Sequence, residues 1–287
     1  MPGRTTIKVA LDWTPNTIHT GLFVALAKNF YSDQGLEVQL LPPDAGYTTT
    51  PAKRLENGEV DLAICHLRDS AKDASAIVST KPEFANIAAL ENGVYGSYNA
   101  RYEDDIVKTM VTNAGGDGKK MQIKNSVGKL SLFEEMKQGT VDATWVFMPW
   151  EGTEAARDGI TLHVFKTENY GVPYGYSPVI ARNAATEKAL PSEALQKFID
   201  ATRQGYEYAI KNVSESAKIL EQHCQKSFGF LEQSQQSIND YYSDGSSLGS
   251  MEGAKWKGWV DWLESQELIK TKGIDTEALY TNAFNKD

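Results

Sequence analysis

The stretch IKVALDWTPNTIHTGLFVALA, residues 7–27, decides the fold of this chain. Its apolar side chains Ile7, Val9 and Leu11 recur at every second position, which predicts a β-strand. Residues 14–16, with the sequence TPN, interrupt the strand and predict a turn. Apolar residues then recur at helical spacing as far as residue 26. The stretch is therefore predicted to form a strand–loop–helix unit of an α/β sheet.

A carboxylate and an indole, those of Asp12 and Trp13, directly follow the predicted strand. In open α/β sheets, ligands bind in the crevice outside the carboxyl ends of the strands. Asp12 can accept hydrogen bonds there, and Trp13 can stack on a flat, nitrogen-rich ligand. Asn16 lies in the same loop and is a third candidate ligand-binding residue. The structural alternative is that Trp13 belongs to the core and Asp12 caps the following turn.

A motif of the form Gly-x-Val-Asp occurs twice, at Gly58 and at Gly139. Each copy leads into an apolar run that predicts a buried strand, and a further strand–loop–helix pattern begins at Val94. These repeated patterns predict an α/β protein with two lobes of like topology. We expect lobe one to comprise residues 1–90 and 176–287, and lobe two to comprise residues 91–175.

Lobe two has its own candidate ligand-binding residues. Trp150 and Glu151 follow the predicted strand 141–147, so the same rule places them beside the ligand. Glu151 could accept hydrogen bonds from an exocyclic amine and a ring N–H, or it could be a helix N-terminal charge. The remaining candidates follow the first strand of this lobe or return towards lobe one; they are Tyr98, Arg101, Glu103 and Tyr174.

Three of these four have a structural alternative. Arg101 could bind an anionic or carbonyl group, or it could pair with Asp105 on the helix surface. Tyr98 and Tyr174, together with Tyr170 and Tyr176, crowd the expected hinge and cleft rims, and some of them must be packing residues.

The last hundred residues are predicted to be mainly helical. The predicted helices span residues 192–210, 214–225, 232–243 and 253–266. One apolar stripe on the last of them is predicted to pack in a core; it consists of Trp256, Trp259, Trp262 and Leu263.

The composition excludes several classes of function. The formal net charge of −9 argues against nucleic acid or an anionic membrane as the main partner, because either needs a basic surface. No apolar run is long enough to predict a membrane span, and no signal region precedes the first strand. We therefore expect a cytoplasmic protein, or a periplasmic or extracellular one if a native signal has been removed. The cysteines and histidines lack metal-ligand spacing, so we expect neither metal nor cofactor.

The order of the strand, the LDWTPN loop, the helix and the NGEVDLAI segment, residues 57–64, resembles the first lobe of a periplasmic-type solute-binding protein. With the YGVPY segment, residues 170–174, it more narrowly resembles the thiamine-pyrimidine binding family. That family includes formylaminopyrimidine-binding transport proteins and the eukaryotic hydroxymethylpyrimidine phosphate synthases. The resemblance runs over nearly the whole chain. It implies a periplasmic-binding-protein type II-like fold: two Rossmann-like lobes, a ligand cleft between them, and a helical C-terminal part.

The resemblance also implies a function, which is binding of a small planar nitrogen heterocycle, a thiamine-precursor pyrimidine, without catalysis. An ABC permease is the expected partner if the protein is exported, and a homodimer is left open. One alternative is a divergent hydroxymethylpyrimidine phosphate synthase. Another is a binding protein for a different small solute, such as an alkylsulfonate or a flavin.

The synthases that this chain resembles use a lysine that binds pyridoxal phosphate, a nearby histidine and a CCCFC motif. Where the lysine is expected, this chain has Cys65, and it has no cysteine cluster. A Schiff base requires an amine, so only a displaced lysine such as Lys72 or Lys81 could replace it. The passage from Cys65 to Gly93 is also shorter than expected by about 20 residues, which is more than half of a βαβ unit. We therefore expect one crossover strand or helix to be missing from it.

Overall fold

The computed structural model describes residues 4–44, 46–65, 74–126, 131–174, 178–183, 190–242 and 248–285. The chain divides into two compact units. The first unit consists of Met1–Leu67, Tyr176–Met251 and Glu277–Asp287, and the second consists of Arg68–Gly175 and Glu252–Thr276. Among the described helices, none has both the length and the apolar character that crossing a bilayer requires.

The described strands all lie before residue 183, interspersed with helices, and the described elements that follow are helical only. The strands are β1 (Thr5–Ala10), β2 (Leu36–Leu41), β3 (Leu62–Cys65), β4 (Ser75–Ser79), β5 (Val94–Ser97), β6 (Gln122–Asn125), β7 (Ala143–Phe147), β8 (His163–Phe165) and β9 (Val179–Arg182). The α-helices are α1 (Thr20–Ala27), α2 (Phe30–Asp33), α3 (Pro51–Glu56), α4 (Glu103–Asn113), α5 (Leu132–Lys137), α6 (Thr153–Arg157), α7 (Ser192–Lys211), α8 (Val213–Glu221), α9 (Phe228–Tyr242) and α10 (Gly253–Ser265).

The sheet of the first unit has the strand order β2-β1-β3-β9. β1 is parallel to both β2 and β3, and β9 runs antiparallel to β3. Because β1, β2 and β3 are parallel, their carboxyl ends lie at one edge of the sheet. This is the edge at which Asp12 and Trp13 follow β1 and at which β3 ends in Cys65.

Helices α1 and α7 pack against each other through two glycines, Gly21 and Gly205. A Cβ atom added to Gly205 would lie 2.1 Å from the carbonyl oxygen of Gly21, and one added to Gly21 would lie 2.3 Å from the ring of Tyr206. Both distances are shorter than any side-chain contact allows. The glycines therefore let the helix that follows the Asp12 loop contact α7 at backbone distance.

The sheet of the second unit has the order β6-β5-β7-β4-β8. β5 is parallel to β6 and β7, and β4 runs antiparallel to both β7 and β8. Its core contains side chains from β4, β5, α4 and α10, among them the buried Trp259 and Trp262. The predicted apolar stripe is therefore core: Trp256, Trp259, Trp262 and Leu263 are each less than 9% exposed.

The structure places two segments differently from the sequence-based expectations. The passage from Cys65 to Gly93 was expected to lack a crossover strand or helix, but it supplies β4, which pairs with two strands of the second sheet. The compact units accordingly divide at Leu67 rather than at residue 90. Residues 252–276 belong to the second unit because α10 contributes its tryptophans to that core.

The four helices predicted in the last hundred residues are present as α7 to α10, with ends shifted by a few residues. Near the carboxyl end, residues 275–285 contain only a short 3-10 helix, Thr276–Ala278.

Candidate functional site

Asp12 and His19 form a buried pair beside the carboxyl end of β1. The Oδ1 atom of Asp12 lies 2.7 Å from Nε2 of His19, and the two residues are 2% and 0% exposed. The backbone carbonyl of Asp12 accepts a hydrogen bond of 2.7 Å from the hydroxyl of Tyr47, which lies between β2 and α3. His19, in the 3-10 turn that precedes α1, and Tyr47, in the loop before α3, therefore hold Asp12 in place.

Trp13 lies beside Tyr47 at the same edge of the sheet. Their ring centroids are 5.8 Å apart, the ring planes are inclined by 53°, and both side chains are partly exposed. The backbone of Tyr47 has a φ of 46°, a left-handed conformation that is rare for an aromatic residue. Such outliers persist only where the surroundings enforce them, and they are concentrated at functional sites.

Asn16 has a structural role in this loop. Its side-chain oxygen accepts from the backbone N–H of Ile18, and its backbone N–H donates to Nδ1 of His19 over 3.4 Å. This reciprocal arrangement is a capping box, which satisfies free donors at the start of the helical segment. These hydrogen bonds are sufficient to account for the burial of Asn16, which is 7% exposed. A ligand contact of Asn16 therefore stays a prediction.

Two tyrosines from the C-terminal helices hold the segment between Asp12 and α1. Tyr206 donates to the carbonyl of Ile18 over 2.7 Å, and Tyr242 donates to the carbonyl of Thr17. The hydroxyl of Thr17 also lies 2.7 Å from that of Ser234. Burial raises the pKa of both tyrosine hydroxyls far above its ordinary value, so both remain protonated donors at neutral pH.

Cys65, at the end of β3, belongs to the same group of side chains. Burial, together with the nearby charge of Asp12, raises the pKa of its thiol to about 11. The same two effects raise the pKa of Tyr47. Cys65 is therefore a neutral thiol at physiological pH, and it can act neither as a thiolate nucleophile nor as an amine.

Glu103 holds the loop that follows β5 in the second unit. It is 1% exposed and accepts hydrogen bonds from the hydroxyl of Tyr95 and from the backbone N–H groups of Tyr98 and Ala100, at 2.9–3.2 Å. The loop contains left-handed residues at Asn99 and Tyr102. The carboxylate therefore stabilises this strained loop, and a ligand contact for Glu103 stays a prediction.

Tyr98 and Glu151 lie near each other in the second unit. Burial and then the charges of Glu151 and Glu103 raise the pKa of the Tyr98 phenol. Glu151 accepts a 2.9 Å hydrogen bond from the backbone N–H of Phe147 and lies, with Trp150, in a single π-helical turn, Met148–Gly152. Single π turns are frequent at functional sites. Trp150 and Glu151 are both partly exposed.

Arg101 and Tyr174 have different surroundings from these residues. Arg101 is exposed, and its guanidinium lies 4.8 Å from the ring centroid of Tyr102. Tyr174 is 6% exposed, and its ring packs on Trp145 at 4.8 Å and edge-on to Trp259 at 6.1 Å. Tyr174 is therefore a core residue of the second unit, while Tyr176 lies outside the described residues.

Lys81 is the one of the two displaced-lysine candidates that the structure describes. It pairs with Asp142, which directly precedes β7, so it lies at the amino end of the parallel strands. A ligand at the carboxyl edge of that sheet is at the opposite end of the strand. Lys72, the other candidate, lies outside the described residues. No group of three His, Cys, Asp or Glu side chains among the described residues could hold a metal ion.

Two residues of the first-unit group, Tyr47 and His19, were not predicted from the sequence. The signal for His19 was its position three residues after an Asn N-cap, which is the spacing of a capping box. Tyr47 had no local signal, because its contact with Asp12 spans 35 residues of sequence. Thr50, in the loop that follows Tyr47, caps α3 by accepting from the backbone N–H of Lys53.

Comparison with known proteins identifies relatives of this chain. A family profile described as NMT1/THI5 like matches residues 16–76 and 70–216. The formylaminopyrimidine-binding protein of Halalkalibacterium halodurans is 24% identical over an alignment that covers 95% of this chain and 89% of the relative.

Two solved structures share the fold. The alkanesulfonate-binding protein SsuA of Xanthomonas axonopodis pv. citri, bound to MOPS, superposes with a TM-score of 0.70 and 12% identity, covering 94% of this chain and 96% of that protein. The periplasmic nitrate-binding protein NrtA of Synechocystis superposes with a TM-score of 0.72 and 13% identity, covering 96% and 85%. These likenesses confirm the periplasmic-binding-protein fold and the α/β class.

Proposed function

This chain belongs to the NMT1/THI5-like family, and from that premise we propose that it binds a thiamine-precursor pyrimidine without transforming it. The observation that carries the proposal is the group at the carboxyl edge of the first sheet: a buried carboxylate, that of Asp12, beside the partly exposed rings of Trp13 and Tyr47. A carboxylate accepts hydrogen bonds from an amino substituent, and an indole stacks on the ring that carries it. The name of the Halalkalibacterium relative supports the same ligand class.

The residues of the second unit that we propose as further ligand contacts are Tyr98, Trp150 and Glu151. Glu151 and Trp150 are partly exposed on one π-helical turn, which suits a contact with a planar ligand. Arg101 is retained as a contact for an anionic substituent because its guanidinium is exposed. An ABC permease, a homodimer and the cellular location stay predictions; light scattering coupled to size exclusion tests the homodimer.

Calorimetry of the protein with an aminopyrimidine tests the proposal. Trp13→Ala should weaken binding by about 1–3 kcal/mol, by analogy with base–aromatic stacking, while Trp13→Phe should retain most of the affinity. Mass spectrometry of small molecules released from the purified protein identifies a ligand that is already bound. Unchanged affinity in Trp13→Ala would remove the stacking contact from the proposal, and no heat with any aminopyrimidine would remove the ligand class.

We also propose that the chain does not form the covalent pyridoxal phosphate adduct of the synthases. The residue at the end of β3 is Cys65, a neutral thiol, and Lys81 is paired with Asp142 at the amino end of β7. The test is incubation with pyridoxal phosphate, borohydride reduction and peptide mapping. A stoichiometric adduct on one lysine, Lys72 included, would favour the divergent synthase instead.

A further inference from the structure

We propose that His19 is a positioning residue that fixes Asp12 as a hydrogen-bond acceptor and so makes the site select amino-substituted over oxo-substituted pyrimidines. The inference rests on the proposed function, since it concerns the same ligand. His19 sets this preference through its hydrogen bond to Oδ1 of Asp12.

The first step is the position of the proton on the imidazole of His19. The backbone N–H of Asn16 points at Nδ1 of His19, at 3.4 Å. A backbone N–H can only donate, so Nδ1 must be the accepting, unprotonated nitrogen. The neutral ring then carries its proton on Nε2, which lies 2.7 Å from Oδ1 of Asp12. The hydrogen-bond network thus assigns the tautomer, and His19 donates to Asp12.

The second step is that the ring cannot exchange these partners easily. His19 is fully buried. The carbonyls of Thr17 and Ile18, two residues and one residue before it, accept from the hydroxyls of Tyr242 and Tyr206 respectively. A turned imidazole would lose its hydrogen bonds to Asn16 and Asp12 while the ring remained buried. The buried surroundings therefore keep Nε2 directed at Asp12.

The third step concerns what Asp12 can recognise. An aspartate whose Oδ1 accepts from His19 presents oxygen lone pairs and no proton to a neighbouring group. The amino group of an aminopyrimidine can donate to such an oxygen. The oxo group of the matching oxopyrimidine is itself an acceptor, so the same contact would leave buried acceptors facing each other. A site built on a buried hydrogen bond rejects the analogue that cannot make it.

A purely structural histidine would behave differently. It would support the loop through Asn16, and its removal would weaken binding of both pyrimidines equally. A histidine that acts through Asp12 changes the ratio of the two affinities, and it does so only while Asp12 is a carboxylate. The ratio therefore separates the two roles, whereas a single affinity does not.

The experiment is a double-mutant cycle in which calorimetry gives the affinity ratio of an aminopyrimidine to the matching oxopyrimidine. His19→Leu should lower this ratio about tenfold, the effect of losing one hydrogen bond to a charged group. In an Asp12→Asn background, the same change should alter the ratio by less than about twofold. His19→Gln, which keeps a donor, should retain most of the preference. His223→Leu is the matched control, since His223 stacks on Phe23 in the same unit and is exposed.

An equal loss of affinity for both pyrimidines in His19→Leu would overturn the proposal, and so would an undiminished effect in the Asp12→Asn background. If His19→Leu fails to fold, nitrogen NMR of the unmodified protein decides the point. A proton on Nε2 of His19 is expected, and a proton on Nδ1 would overturn the assignment. A protein that binds neither pyrimidine would instead refute the proposed function, and the ligand preference with it, whatever the NMR result.

Discussion

The segment 51–65 of the first unit and the segment 132–147 of the second have the same local design. Each has a six-residue helix, a glycine of positive φ, a buried valine and an aspartate that precedes a strand. Asp61 accepts from the backbone N–H of Lys8, and Asp142 accepts from that of Val94, each over 2.7 Å. The aspartate thus fixes the register of its strand against the neighbouring parallel strand in both units.

The shared register makes positions in the two units directly comparable. Ala10 pairs with Ala63 in the first unit, and Gly96 pairs with Thr144 in the second. Two residues further along stand Asp12 and Tyr98, both of which we propose as ligand contacts. The two units differ in where the carboxylate lies. In the first unit the residue at this position, Asp12, is itself the carboxylate. In the second unit the nearby carboxylate is Glu103, which accepts hydrogen bonds from the backbone of its own loop. The same frame therefore carries a proposed ligand-binding carboxylate in one unit and, in the other, a carboxylate that holds its own loop.

Glu103→Ala should have the largest effect on stability, because it removes the acceptor of the buried Tyr95 hydroxyl and of two partly buried backbone N–H groups. We expect a loss of about 3 kcal/mol in the free energy of unfolding. Five of the six tryptophans belong to the second unit, so tryptophan fluorescence in urea reports on that unit. Asp105→Ala, an exposed change on the same helix, should cost less than about 0.5 kcal/mol. Equal losses in the two variants would refute a special role for Glu103.

Replacing Asp61 and replacing Asp142 should destabilise the protein by different amounts, although both side chains accept a hydrogen bond from the backbone of the neighbouring strand. Asp142 also pairs with Lys81, and its side chain is 13% exposed. We expect Asp142→Ala to cost about 2 kcal/mol and Asp61→Ala about 1 kcal/mol in urea unfolding. In a Lys81→Met background, the excess cost of Asp142→Ala should disappear, which a double-mutant cycle measures. If the excess survives without Lys81, the ion pair is not its cause.

Substitution of Gly58 and of Gly139 should lower the free energy of unfolding equally. Neither glycine has an atom within 4 Å of an added Cβ, and their φ values are 71° and 77°. Gly58→Ala and Gly139→Ala should each cost about 1 kcal/mol through backbone conformation alone. Gly258→Ala in α10 is the control, since a Cβ there also meets open space without a positive φ. That control should be neutral or slightly stabilising. A large difference between Gly58 and Gly139 would contradict the equivalence of the two turns.

The smallest expected effect is a pH dependence of stability that comes from the thiol of Cys65. Val146, its counterpart in the second unit, has no titratable group. Burial raises the pKa of Cys65 from 9.0 to about 11, so the folded state keeps a proton that the unfolded chain releases above pH 9.0. The free energy of unfolding should therefore fall as the pH rises, by less than about 1 kcal/mol between about pH 8 and about pH 9.5. Cys65→Val should reduce this slope in thermal unfolding scans. A slope that Cys65→Val leaves unchanged would assign it to other groups.

Local patterns in the sequence predicted the strand at residues 7–11, the turn after it and the Gly-x-Val-Asp repeat, because each depends on neighbouring residues. The placement of β4 and α10 in the second unit was missed, since it depends on pairing and packing with residues far along the chain. At the candidate site, Asp12 and Trp13 could be located by their position after β1. The contact of Tyr47 with Asp12 could not, and the packing of Tyr174 against Trp145 was equally invisible.

The division of the units along the chain has a consequence for the order of synthesis. Neither unit is continuous: the second needs residues 252–276 for its core, and the first needs residues 176–251 to hold the segment after Asp12. A nascent chain that has reached residue 175 therefore has both sheets begun and neither core closed. We expect the first core to close once Tyr242 has left the ribosome and the second only after Trp259 and Trp262 have followed, so that the second unit becomes protease-resistant last.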